Sequence, residues 1–377
     1  MIPSMTLAHT SRRPRVGIVG MGFIGEVHAR AVARCGGALE AVASSTAQTA
    51  EVAAQRLGVP RAFRSAEELI LSPDVDVVHI CTPNHLHDRL AELALKADKH
   101  VICEKPLAVD SSGAARLADL AAASSLVAAV PFVYRYYPTV REARERVRRG
   151  DAGRVHLVHG SYLQDWLAQA CQTNWRVDPA LGGASRAFGD IGIHWCDLVE
   201  FTTGHRITEL VASTAAPYGA RDGVRSAATT PGSVTEDLAT VMFRTDGGAA
   251  GSVVVSQTAL GRKNRLWLSI DGENAAYSFD QERPDRLWVG GQDVTTVLPR
   301  GSAATSPAAE VYNKLPPGHP QGYQDCFDAF VSDVYAAIAG GKPDGLPTFE
   351  DGLRSARITD AVMESTRTQG WVAVAAA

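Results

Sequence analysis

Over the first third of the chain, short continuous apolar runs alternate with stretches of helical periodicity. Residues 15–19 read as a buried strand and 26–33 as the helix after it; 39–43 and 47–57 repeat the pair. Further strands are predicted at 75–81, 100–103 and 126–133, separated by helical stretches at 64–71, 90–96 and 111–123. Uninterrupted apolar strands alternating with helices of this length predict a parallel, doubly wound sheet. From residue 155 the texture changes. Alternating, β-rich segments occupy 155–163, 206–214, 237–245, 249–258, 265–271, 274–280 and 286–298, punctuated by Asp-Gly and Gly-Gly turns. They predict an antiparallel sheet, with one face left for a ligand, a partner or a twin subunit. Helices are predicted at 140–149, 324–338 and 350–369. The Arg and Glu residues of the first of these stand at helical spacing, which predicts a solvated face.

The first strand runs straight into Gly20-Met21-Gly22-Phe23-Ile24-Gly25 and then a helix. Strand, glycines and helix in this order form a dinucleotide-binding fingerprint in its required context. Gly20 permits the tight turn, Gly22 lets the backbone approach a pyrophosphate, and Gly25 lets helix pack on strand. The diphosphate would rest on the helix N-terminus, where free N–H groups and the dipole favour an anion. An acidic clamp for a ribose 2′-hydroxyl belongs about 20 residues further on. Ser44-Ser45-Thr46 stands there instead, with neither an acid nor an arginine. The cofactor is therefore read as NAD(H) or NADP(H), leaning to NAD(H).

Two later strands end in chemistry. The strand 75–81 gives way to Thr82-Pro83-Asn84-His85-Leu86-His87. These polar groups either line the nicotinamide side of the crevice or cap a helix start carrying Pro83 in its first turn. No carboxylate or thiol accompanies His85 and His87, so a metal pair is not expected. The strand 100–103 ends in Glu104-Lys105-Pro106. A lysine at the carboxyl end of a parallel strand sits where open α/β sheets bind ligands, and Pro106 restrains its backbone.

In the second half, Gly189-Asp190-Ile191-Gly192-Ile193-His194-Trp195-Cys196-Asp197 reads as helical from 190 to 201 despite Gly192. Asp190 and His194 stand at i and i+4, with Asp197 three residues on, so they share a face. A histidine beside a carboxylate suits acid/base work. It suits a buried structural pair equally well. Cys196 points off that face, which argues against a metal site. Tyr162, Gln164, Asp165 and Trp166, then Asn174-Trp175-Arg176-Val177-Asp178, mix aromatic plates with hydrogen-bonding groups. Such a mixture fits a carbohydrate or an interface core. The loop 315–323 is proline-rich and carries His319, as a rigid lid would.

Composition narrows the class. The chain has 377 residues, 45% hydrophobic and 21% charged, which is ordinary for a globular protein of two domains. A net charge of −4 gives no reason to expect nucleic acid or an anionic membrane as partner. No apolar run approaches the ~20 residues that span a bilayer. Six scattered cysteines without a CxxC pair suggest free thiols in a reducing cytoplasm. Residues 1–14 read as a flexible polar tail; Arg12-Arg13 is not followed by the apolar core of an export signal.

The glycine fingerprint, Thr82–His87, Glu104-Lys105-Pro106 and Asp190–Asp197, in this order, resemble the glucose–fructose oxidoreductase/inositol dehydrogenase (Gfo/Idh/MocA) family over about residues 14–370. The resemblance implies an α/β fold: an N-terminal Rossmann doubly wound parallel sheet plus a C-terminal α/β domain with a large, open, mostly antiparallel sheet. The expected division is an NAD(P)-binding domain over 15–135 and a domain for substrate and oligomerisation over 136–377. It implies Lys105, Asp190 and His194 as the catalytic group, with no metal. Cofactor contacts are expected from Gly20, Met21, Gly22, Phe23 and Ile24, from Ser44 and Ser45, and from Thr82, Pro83, Asn84 and His87. Glu104, Lys105, Arg135, Trp175 and Arg176 complete that set. Substrate contacts are expected from Lys105, Tyr134, Tyr162, Gln164, Trp175, Arg176, Asp190, His194 and His319. The stretches 162–166, 174–178 and 317–323 look most like members acting on pyranose-shaped sugars, including levoglucosan and glycoside 3-dehydrogenases. The implied reaction is oxidation of a secondary hydroxyl of a sugar, anhydrosugar, glycoside or cyclitol to a ketone, in a cytoplasmic homo-oligomer, a dimer or tetramer. One rival keeps the cofactor bound and recycles it during elimination or sugar–sugar exchange. Another is a nucleotide-sensing binding protein, against which the joint presence of Lys105, Asp190 and His194 argues.

Overall fold

The computed structural model describes residues 13–219, 221 and 234–376. Most of the proposed N-terminal tail, residues 1–12, therefore lies outside the described residues. The apolar runs of the first third form one sheet of six strands: β1 (Arg15–Val19), β2 (Ala38–Ala43), β3 (Arg61–Phe63), β4 (Val77–Ile80), β5 (His100–Cys103) and β6 (Ala128–Ala129). Their spatial order is β3-β2-β1-β4-β5-β6, with every pair parallel. Strand order reverses between β1 and β4, so a crevice opens at the carboxyl ends of those strands, the usual ligand position in such sheets. Two details differ from the sequence reading. The apolar run 126–133 yields only two strand residues, since Pro131 cannot donate to a ladder and a 3₁₀ turn, Val133–Tyr136, follows. The short edge strand β3 is too brief to carry a period.

The second sheet has nine strands: β7 (Val155–Leu163), β8 (Ile207–Ala215), β9 (Leu238–Thr245), β10 (Ala250–Ser256), β11 (Arg265–Gly272), β12 (Ala276–Asp280), β13 (Arg286–Gly290), β14 (Thr295–Pro299) and β15 (Val372–Ala373). Their order is β14-β13-β12-β11-β7-β10-β9-β8-β15. Only β7 and β10 run parallel; the other pairs are antiparallel. The predicted segment 286–298 is a hairpin, β13 and β14, instead of one strand. Alternation along β9 and β10 buries one face and exposes the other. The inner face receives the helix Ile193–Thr203. Gly160 makes this possible: a Cβ there would lie 2.0 Å from the Trp267 carbonyl oxygen and 2.6 Å from the Trp195 indole nitrogen. Trp195 Nε1 donates to that same carbonyl at 2.9 Å, so the helix is pinned across the sheet. The site's histidine is on this helix.

The last two long helices tie the sheets together. Helix Tyr323–Ile338 packs on helix Phe23–Arg34, where Gln324 donates to the Val27 carbonyl at 3.2 Å and Arg34 pairs with Asp328 at 2.7 Å. Helix Phe349–Thr368 lies against helix Ser111–Ala122 on one side and β8 on the other. The charge run of helix Pro138–Arg148 is less solvated than its spacing predicts. Arg141 and Glu142 are buried: Arg141 stacks over Tyr312, Tyr136 and Phe201, and Glu142 accepts from Arg146 at 2.6 Å and from the Ser306 N–H at 2.7 Å. The first half of this helix, Pro138 to Ala143, is buried all round, which a charge pattern does not report.

Candidate active site

The cofactor end of the site follows from three glycines. Gly20 has φ +97°, and a Cβ there would meet the Cys81 carbonyl at 2.4 Å. A Cβ on Gly25 would lie 2.1 Å from the Gly20 carbonyl oxygen, so only glycine lets the helix start this close to β1. Gly22 has nothing within 4 Å of its Cβ position and caps helix Phe23–Arg34 without any side-chain hydrogen bond. The first N–H groups of that helix therefore face open space, as a diphosphate requires. Among the described residues the buried Thr82 hydroxyl has no hydrogen-bond partner. These features fit a dinucleotide. Ser44 and Ser45 line the same cleft, whereas Thr46 is spent capping helix Ala47–Leu57 through Thr49. Arg89, also in the lining, is paired with Glu67.

The cleft, about 950 Å³, runs from these strand ends into the second sheet. It is large enough for a dinucleotide's reactive end and a small substrate. Asn84 closes one wall by donating to the Gly182 carbonyl at 2.8 Å, joining the 82–87 turn to the loop that carries Asn174, Trp175 and Arg176. His87 braces the turn from behind: its ring nitrogens lie 2.7 Å from the Pro106 carbonyl and 2.9 Å from that of Thr82. Glu104 is buried against His28 at 3.1 Å and accepts from the Lys105 N–H at 3.1 Å. Burial pushes its carboxyl up, but His28 and Lys105 prevail and hold it below the ordinary value.

Lys105 Nζ donates to Asp190 Oδ1 at 2.7 Å and to the Asp190 carbonyl at 2.8 Å. Arg176 Nε stands 3.3 Å from the same Oδ1, and Gln257 Nε2 donates to Oδ2 at 2.8 Å. Burial opposes ionisation of Asp190, yet the Lys105 and Arg176 charges and the Lys105 hydrogen bond hold its carboxyl far below the usual range. Asp190 lies in a π-helical turn, Phe188–Gly192, that runs into helix Ile193–Thr203. Such turns concentrate at functional sites. This turn separates the expected pair. Asp190 gives its oxygens to Lys105, Arg176 and Gln257, and acts on His194 through its charge. His194 sits edge-on to Tyr134 at 4.9 Å and Phe132 at 5.7 Å, with Nδ1 buried and unpartnered. Burial, then the Lys105 charge, pushes the imidazole well below its ordinary pKa, and Asp190 offsets this only in part. A neutral histidine and an ionised lysine–aspartate pair thus face one space.

Around them stand Tyr134 and Tyr162, whose hydroxyls are in contact, and Gln164. Gln164 accepts from Trp166 at 2.8 Å and donates to Asn264 at 2.7 Å, so its amide is fully oriented. Arg176 lies over the Trp175 ring at 4.3 Å. Every residue expected at the site lines this cleft except two. Arg135 is turned away, onto Asp197 and Asp351, at 2.9 and 2.7 Å. It neighbours Tyr134 in a tight 3₁₀ turn, whose three residues per turn point adjacent side chains about 120° apart. Replacing Arg135 by Met leaves Asp197 and Asp351 buried without their cation. The expected result is a loss of roughly 3–5 kcal/mol in urea unfolding, with unchanged NAD+ affinity. His319 is the other exception. Its loop is held by Arg300, which donates to the Leu315 and His319 carbonyls at 2.7 and 2.6 Å, and its side chain is exposed outside the cleft. Sequence reasoning also missed Gln257, Asn264, Tyr323 and Phe327. Tyr323 ended a loop already singled out, but Gln257 and Asn264 meet the site across long sequence gaps with no local signal. Among the described residues no three His, Cys, Asp or Glu side chains group as metal ligands, and no helix is long and apolar enough to cross a membrane.

Comparison with known proteins converges on this arrangement. The family model described as "Oxidoreductase family, NAD-binding Rossmann fold" matches residues 14–132, and the "GFO/IDH/MocA C-terminal domain" matches residues 140–278. The chain belongs to the GFO/IDH/MocA oxidoreductase family. A levoglucosan dehydrogenase of Pseudarthrobacter phenanthrenivorans is 33% identical, over 95% of this chain and 97% of the relative. A solved levoglucosan dehydrogenase in complex with NADH and levoglucosan is 31% identical, with a TM-score of 0.88 over 97% of this chain and all of the other (100%). A myo-inositol 2-dehydrogenase of Thermotoga maritima is 26% identical over 71% of this chain and 79% of its own length. Within this family member, Lys105, Asp190 and His194 line the same cleft as the glycine turn.

Proposed function

We propose that this protein is an NAD+-dependent dehydrogenase that oxidises a secondary hydroxyl of a pyranose-shaped sugar, with levoglucosan-like anhydrosugars first among candidates. The observation that carries the reading is the convergence of Lys105, Asp190 and His194 on one cleft beside the dinucleotide turn. The bound nicotinamide would supply the redox chemistry, accepting the carbinol hydrogen with its electron pair. His194, neutral and facing the cleft, takes the hydroxyl proton. Lys105 uses two of its three donors on Asp190, leaving one for the substrate oxygen as negative charge develops there. Asp190 holds that ammonium in place, and Arg176 and Gln257 hold Asp190. Tyr134, Tyr162, Gln164 and Trp175 supply the mixture of apolar plates and oriented polar groups that a sugar ring needs.

The 33%-identical levoglucosan dehydrogenase, nearly full-length in its match, supports the anhydrosugar. The relative solved with NADH supports NAD(H), and pairing of Arg89 with Glu67 leaves that guanidinium a poor partner for a 2′-phosphate. The same proposal assigns residues 15–135 to the cofactor and 136–377 to substrate and assembly. Exposed Leu157, Met242, Val254, Trp288 and Val297 on the outer face of the second sheet support pairing with a second copy. Six free cysteines fit a reducing compartment such as the cytoplasm.

The test is formation of reduced nicotinamide with NAD+ and NADP+ across levoglucosan, pyranoses, glycosides and inositols. The expected signal is with NAD+ and a pyranose or anhydrosugar. Silence across the panel, in protein that retains nicotinamide through dialysis, would replace this reading with a recycled-cofactor mechanism.

A further inference from the structure

The two oxygens of Asp190 have different partners. Oδ1 faces the cations Lys105 and Arg176. Oδ2 receives Gln257 Nε2 at 2.8 Å. Gln257 is 0% exposed and directly follows β10. Its amide has one allowed orientation. Arg186 donates to Gln257 Oε1 at 2.9 Å and has no acceptor to offer, so the carbonyl must face Arg186 and the amino group must face Asp190. Arg186 is fixed in turn. Its Nε donates to Thr235 Oγ1 at 3.1 Å, and its terminal nitrogen pairs with Asp237. Asp237 also receives Arg221 at 2.6 Å. Glu236 accepts the N–H groups of Arg186 and Phe188, at 3.0 and 2.9 Å, and so anchors the entry to the π-helical turn. A buried chain of single polarity, Arg186 to Gln257 to Asp190, therefore leads from a charged framework to the carboxylate that holds Lys105.

We infer that Gln257 is a positioning residue: by donating to Asp190 Oδ2 it aims Oδ1 at Lys105 and so places the ammonium in the cleft. The inference rests on the reading of Lys105 and Asp190 as the reacting end of the site. A plain packing role for Gln257 predicts lost stability alone. Positioning predicts an altered Lys105.

The experiment uses the full chain expressed with lysine labelled with ¹³C at Cε, which leaves the three ammonium donors intact. The Lys105 signal is the one missing from Lys105→Met. In Gln257→Leu the buried Oδ2 loses its donor, Oδ1 is no longer held toward Lys105, and the ammonium loses part of its hydrogen bonding and ion pairing. The Lys105 signal then titrates about one pH unit lower, the scale expected for one lost charge-assisted hydrogen bond. With the substrate found above, kcat falls roughly 10- to 100-fold while the KM for NAD+ stays near wild type. Gln257→Glu is the rescue. A protonated glutamic acid can accept from Arg186 and donate to Asp190; the ionised form cannot donate. Its Lys105 signal and turnover therefore follow wild type at low pH and depart from it as pH rises. A Lys105 titration identical to wild type at every pH, in folded Gln257→Leu or in Gln257→Glu, overturns the inference. Wild-type turnover by Lys105→Met would instead sink the reading of the site, and the titration would still decide the role of Gln257.

Discussion

Lys105→Met is expected to lower kcat by roughly 10³-fold or more, with NAD+ affinity, read by cofactor fluorescence, within a few-fold of wild type. The side chains are similar in length, so the apolar stem still packs beside Pro106. What disappears is the donor aimed at developing negative charge, a contribution typically worth 10²- to 10³-fold for a single group (about 2.7–4 kcal/mol). The loss of Asp190's main counter-ion adds to it: Oδ1 retains only Arg176, at 3.3 Å. Affinity is spared because the diphosphate seat is made by the backbone at Gly20–Gly25, whereas the Lys105 ammonium is bonded to Asp190. A variant with wild-type kcat would remove Lys105 from the chemistry.

His194→Phe carries the second large effect, a fall in kcat of roughly 10²- to 10⁴-fold, the range for loss of a positioned general base. Phenylalanine keeps the edge-on packing against Tyr134 and Phe132, which separates proton transfer from stability. The pH dependence has a definite sign. Burial and the Lys105 charge disfavour the imidazolium, so His194 stays neutral at and above its ordinary value of 6.5. Wild-type kcat/KM should therefore hold level through neutral pH and fall only on the acid side of that value. An acid limb above pH about 7.5 would point to a different base, since ordinary histidine titrates near 6.5.

Most of the frame of this site was legible in the sequence because its determinants are local. Gly20 and Gly25 are required by contacts within a few residues of each other or of β4's end, and Lys105 stands two residues past the end of a short, mostly buried strand. Residue alternation announced the second sheet, although Pro131 cut the sixth strand of the first sheet short. The reading failed where a local period was extrapolated or where partners are distant in sequence. Helical spacing paired Asp190 with His194, but the π turn between them gave Asp190 to Lys105, 85 residues away. The resemblance placed Arg135 beside the cofactor, yet in the tight turn after Phe132 it is directed onto Asp197 and Asp351. His319 was expected to touch substrate, yet its side chain is exposed outside the cleft. Gln257 carries no pattern at all; its meaning comes only from which donor and acceptor lie on either side.

The most direct test of the account is transfer of substrate hydrogen itself. Levoglucosan deuterated at its ring carbinol carbons is incubated with NAD+ and the wild-type chain, with Lys105→Met alongside, and the reduced cofactor is weighed. The account predicts reduced nicotinamide carrying one deuterium from the wild type and almost none from the variant. Unlabelled reduced cofactor, or equal yields from both proteins, would contradict it.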